Sequence, residues 1–112
     1  MWLVLAALGG FLAVGFGAFG AHGVTDPKAR EWLHTGALYA FVHCIAVFAS
    51  AKVRAPLAAP LFLGGVLLFS GSLFAMALGA PRMLGAITPV GGVLFLAGWF
   101  VLGRGAWKRP QA

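Results

Sequence analysis

Trp2–Ala21 reads WLVLAALGGFLAVGFGAFGA, twenty residues without a charge and half of them glycine or alanine. A helix needs about 20 mostly apolar residues to cross a bilayer, so this stretch is long enough to be a span. The competing reading is a secretory signal, because Ala18-Phe19-Gly20 resembles a small-x-small cleavage site. However, no Lys or Arg precedes the run, and the run exceeds the usual apolar region of such a signal. The segment is therefore expected to stay in the membrane.

Three more runs of this kind follow at Thr35–Ala51, Leu57–Leu78 and Leu84–Gly103. The breaks between runs hold Pro27, Pro56 and Pro81 and most of the charge. Of the 112 residues, 62% are hydrophobic and 9% charged. A soluble domain is nearer half apolar and a quarter charged, so lipid has to solvate most of this surface. The expected fold is all-α, a compact four-helix transmembrane bundle forming one domain over residues 1–112, with consecutive spans antiparallel because the links are short. The net charge of +6 does not indicate nucleic acid, since the cations flank the spans instead of forming a patch. Cys44 is the single cysteine and has no internal disulfide partner.

Four spans put both termini on one side with the Lys52–Pro56 loop. Lys52, Arg54, Arg104, Lys108 and Arg109 lie there, against Lys28, Arg30 and Arg82 with both acids, Asp26 and Glu31, opposite. The positive-inside rule then predicts cytoplasmic termini. Trp2, Trp99 and Trp107 are expected near that face and Trp32 near the other. Membrane lipids are the expected partners, with anionic headgroups near Arg104, Lys108 and Arg109.

The Gly23–His34 link predicts a short interfacial helix between the first two spans. Asp26 caps it, Pro27 takes the first position, Lys28, Arg30 and Glu31 face water, and Trp32 and Leu33 dip inward. Asp26 and Arg30 are spaced for a weak exposed pair. His22 and His34 bracket this turn, but two histidines make a poor metal site without a third ligand. No metal or cofactor is expected.

Membrane helices associate through close approach at small residues. Gly9, Ala13, Gly17 and Ala21 predict a packing stripe on the first span. Gly36, Ala40 and Cys44 predict one on the second, and Gly71, Ala75 and Gly79 one on the third. Gly85, Gly91, Gly92 and Gly98 serve the fourth, while Phe11, Phe16 and Phe19 should point away from the Gly9 stripe. Leu8-Gly9-Gly10-Phe11-Leu12 echoes Leu63-Gly64-Gly65-Val66-Leu67, a faint sign of a duplicated hairpin.

Candidates for chemistry are few. No carboxylate lies within a span, and neither a nucleotide loop nor a Cys/His cluster at metal spacing is present. His43 sits well inside the second span with Tyr39 one turn before it. Ser70 and Ser72 fall at a similar depth in the third span. A polar cluster of Tyr39, His43, Ser70 and Ser72 is expected, serving either as interhelical hydrogen-bonding glue or as a site for protons or a ligand.

Gly17-Ala18-Phe19-Gly20-Ala21-His22-Gly23, Thr35-Gly36-Ala37-Leu38-Tyr39 with His43, Leu68-Phe69-Ser70-Gly71-Ser72-Leu73, and Leu84-Gly85-Ala86-Ile87-Thr88-Pro89-Val90-Gly91-Gly92 with Gly98-Trp99 follow in order. This series resembles the small membrane proteins of the domain-of-unknown-function 423 family, related to animal transmembrane protein 256. The resemblance covers about residues 1–103 and implies a four-helix protein of the bacterial inner membrane, with no established activity. Phe74 stands where the family pattern leads to tyrosine, and Ala40 where relatives often carry a polar residue. Three functions compete. The first is a non-enzymatic bundle acting by contact, as an accessory subunit or homo-oligomer. The second is a small carrier or channel for protons or a lipophilic molecule, using the His43 level. The last is a lipid-directed enzyme, for which Ser70 and Ser72 lack an acid to orient His43.

Overall fold

A computed structural model describes residues 1–108 of the chain. Four helices long and apolar enough to cross a membrane run over Trp2–His22, Pro27–Lys52, Ala58–Ala77 and Arg82–Lys108. We call them the first to fourth spans. The predicted spans at Trp2–Ala21, Thr35–Ala51, Leu57–Leu78 and Leu84–Gly103 all appear, the second and fourth extending well beyond their apolar runs. Arg109 lies outside the described residues.

The interfacial turn is continuous with the second span. Asp26 accepts from the Ala29 amide at 2.9 Å and Pro27 opens a 26-residue helix. Such a helix is roughly 39 Å long against a hydrocarbon core of about 30 Å, so its first turns project into the headgroup region. The expected Asp26–Arg30 pair is absent because both partners are spent elsewhere. Asp26 caps the helix, and Arg30 donates from Nη2 to the Ala21 carbonyl at 3.2 Å, closing the end of the first span. An exposed Lys28–Glu31 pair at 3.2 Å takes its place, and such a pair contributes little. Asp26→Ala is expected to lower stability by about 1 kcal/mol through the lost cap, while Asp26→Asn loses only a fraction of that. Chemical unfolding in micelles checks both.

The second span is the centre of the molecule. It buries Leu33, Gly36, Ala40, His43, Cys44 and Val47 between the first span on one side and the third on the other. The fourth packs chiefly on the third. The first and fourth spans thus form the two flanks.

Small residues mediate these approaches, along stripes that differ in part from those expected. On the first span Ala6, Ala13 and Gly20 are buried and Ala21 is exposed. Steps of four residues rotate about 40° each around a helix, so a strict four-residue stripe walks off the contact face within three steps. Heptad steps drift by only about 20°, which is why positions 6, 13 and 20 stay in register. Gly9 fits as predicted, since a Cβ there would sit 2.5 Å from the Cys44 sulfur.

The third span departs further. It contains a π-helical turn at Val66–Ser70, and one additional residue in a turn rotates everything after it by about 100°. Gly71 therefore faces open space, and Gly79 leaves the helix at φ +112 to make the turn. The buried positions of this span are Ala58, Ala59, Phe62 and Gly65 before the π turn, and Ser70, Ser72, Leu73 and Met76 from its end onward. On the fourth span Gly91 and Gly98 are buried as expected. Gly91 lies against the Phe69 backbone and Gly98 against the Phe62 ring. Phe11 and Phe19 do point outward. Phe16 instead stacks on Phe74 with ring centroids 4.3 Å apart. Phe74 also covers Gly36, where a Cβ would meet its ring at 2.7 Å, so an apolar ring suits that position.

A buried histidine in an aromatic sleeve as candidate functional site

His43 is 5% exposed, at the level where the second, third and fourth spans meet. Its Nδ1 lies 2.7 Å from the Tyr39 carbonyl, and its Nε2 accepts from the Trp99 indole N–H at 2.9 Å. A carbonyl can only accept and an indole N–H can only donate. The two partners therefore select one neutral tautomer, with the proton on Nδ1, and that tautomer uses both ring nitrogens. Phe95 stacks on the ring with centroids 3.6 Å apart and planes 12° from parallel. Phe62 tilts against it at 5.6 Å and Trp99 meets it edge-on.

The four residues expected to cluster are distributed among separate contacts. Tyr39 stays close to His43, its ring nearly parallel at 6.0 Å, and also packs on Phe69 at 4.8 Å. Ser70 does not reach the histidine. Its hydroxyl donates to the Gly36 carbonyl across the spans at 2.7 Å. Ser72 bonds the Phe69 carbonyl at 2.9 Å and pairs with the Thr88 hydroxyl of the fourth span. Ser50 closes on the Val47 carbonyl. Among the described residues no buried side-chain nitrogen or oxygen lacks a partner.

Two partners, Trp99 and Thr88, were missed by sequence reasoning. Trp99 reads as an interfacial belt residue, yet it lies nine residues before Lys108, just as His43 lies nine before Lys52. Nine residues span roughly 13 Å of helix, and the two spans run in the same direction. The matching depths were a usable signal.

At the Asp26 end, His22 is exposed on the last turn of the first span, and His34 is exposed on the second. Among the described residues no three His, Cys, Asp or Glu side chains converge as a metal site needs. What the buried arrangement can do chemically is limited. No acid orients His43, its nitrogens are engaged, and the hydroxyls of Ser50, Ser70 and Ser72 are committed to carbonyls or to Thr88.

The family model described as Protein of unknown function (DUF423) matches residues 16–92. The chain belongs to this family. A UPF0382 membrane protein of Haemophilus influenzae is 45% identical, over 96% of this chain and 94% of its own length. UPF0382 membrane protein YwdK of Bacillus subtilis is 38% identical over 91% and 92% of the two chains. UPF0382 inner membrane protein YgdD of Escherichia coli is 39% identical over 93% and 87%. No solved structure matches. With the family matched and four apolar helices in place, this member of the DUF423 family is a membrane protein built from a four-span helical bundle.

Proposed function

We propose that this DUF423 protein is a non-enzymatic bundle of the bacterial inner membrane that works through contacts, as an accessory subunit or as copies of itself. The closure of its buried polar groups carries this reading. Catalysis or proton relay at His43 requires a ring nitrogen paired with a group that exchanges protons, and its two partners, the Tyr39 carbonyl and the Trp99 indole N–H, do not. The candidate nucleophiles are committed too, Ser70 to the Gly36 carbonyl and Ser72 to the Phe69 carbonyl and the Thr88 hydroxyl. A carrier using the His43 level would have to break the Trp99 bond and part the Phe95 stack at every cycle.

Location and orientation complete the proposal. The E. coli relative is named an inner membrane protein, which supports a plasma-membrane location. Lys52, Arg54, Arg104 and Lys108, with Arg109 beyond the described residues, outnumber Lys28, Arg30 and Arg82, which favours cytoplasmic termini. That face would meet anionic headgroups through Arg104 and Lys108. Blue-native electrophoresis from native membranes tests the contact reading. A species larger than one chain with its detergent belt is expected, and a strictly monomeric species in mild detergent contradicts it.

A further inference from the structure

A cleft of about 480 Å³ with mixed polar and apolar walls opens at the Asp26 end between the first two spans. Gly17, Gly20 and Ala21 line it from the first span, and Arg30, Glu31 and His34 from the second. An apolar groove of about 250 Å³ adjoins it, lined by Ala13 and Val14 on one span and Ala37, Leu38 and Phe41 on the other. His34 lines both, so the two adjoin at that side chain. Phe41 lies seven residues beyond His34, roughly 10 Å along the helix. A compartment carrying charged side chains in the headgroup region thus stands beside an apolar one that descends into the hydrocarbon.

The charges of the upper compartment are one cation and one anion side by side. The Arg30 guanidinium has five N–H donors and commits Nη2 to the Ala21 carbonyl at 3.2 Å. The remaining fork matches a phosphate. Glu31 gives Oε1 to the exposed Lys28 ammonium at 3.2 Å, a solvated partner that another ammonium can replace. A carboxylate accepts hydrogen bonds from a primary ammonium, whereas a quaternary one has no N–H to give. The small residues Gly17, Gly20 and Ala21 leave room on the other wall.

We propose that this cleft and groove bind one zwitterionic aminophospholipid of the phosphatidylethanolamine class. The phosphate lies on Arg30, the ammonium on Glu31, and the upper part of one acyl chain lies between Ala13 and Phe41. The site lies on a face of the first two spans that the His43 sleeve does not line, so its test does not depend on that buried arrangement.

Native mass spectrometry of the full chain, released from micelles doped equally with phosphatidylethanolamine, phosphatidylcholine and phosphatidylglycerol of the same acyl chains, tests it. One phosphatidylethanolamine is expected to be retained about tenfold over either competitor, the size of one charge-assisted hydrogen bond. Glu31→Gln should erase the preference over phosphatidylcholine, and Arg30→Gln should weaken retention of all three. Ala21→Trp, at an exposed position whose bulk fills the cleft, should abolish retention while the thermal melt stays unchanged. Equal retention of the three lipids, a preference for phosphatidylglycerol, or retention indifferent to Glu31→Gln and Ala21→Trp would overturn the proposal. So would a lipid-free dimer in which a second copy covers the groove.

Discussion

Gly91→Ala is expected to destabilise the bundle by about 1–3 kcal/mol, although alanine is favoured over glycine in a helix by about 1 kcal/mol. A Cβ at this position would run into the Phe69 backbone nitrogen and lie 2.8 Å from the Phe69 Cα. Backbone on another span cannot rotate out of the way as a side chain can, so the third and fourth spans must separate. Gly91→Leu should prevent the pair from docking. The controls lie in the same protein. A methyl group added at Gly71 or Gly103 would have nothing within 4 Å, and Gly71→Ala or Gly103→Ala should be neutral or stabilising by up to about 1 kcal/mol. Reversible unfolding in mixed micelles measures all four. Equal stability of Gly91→Ala and Gly103→Ala would show that the third and fourth spans do not touch there.

His43→Ala is expected to cost about 2–5 kcal/mol, in the range of other large-to-small core changes. It empties the space against Phe95 and leaves the Trp99 N–H without its acceptor. Trp99→Phe should cost less, because it keeps the ring and removes only the donor. Hydrogen bonds between membrane helices average about 0.6 kcal/mol and reach about 1.7, which bounds the loss when one partner goes. His43→Phe alone strands the Trp99 donor in the same way. Replacing both partners by apolar rings of similar shape leaves no orphan, and such paired exchanges are close to neutral.

The existence of the spans, their order and the cap at Asp26 were legible in the sequence, because each follows from local composition. So were Gly9, Gly91 and Gly98, the glycines that their packing uses. What was not legible depends on rotation about a helix axis. Ala21 turns away because four-residue steps accumulate twist, and Gly71 turns away because a π turn precedes it, with no residue type that marks one. The site followed the same pattern. Tyr39 and His43 lie on one face by spacing alone. Which span supplies the histidine's second partner depended on the third span's rotation, which aims Ser70 at Gly36 and leaves the Nε2 side to Trp99. Depth was readable and azimuth was not.

The double variant His43→Phe/Trp99→Phe decides whether His43 is internal glue or a working group, measured for unfolding free energy in micelles and for proton flux in proteoliposomes. With a histidine that serves only as internal glue, stability should lie within about 1 kcal/mol of the wild type, and the flux should be indistinguishable from that of the wild type. A folded double variant that loses a flux carried by the wild-type protein would contradict it.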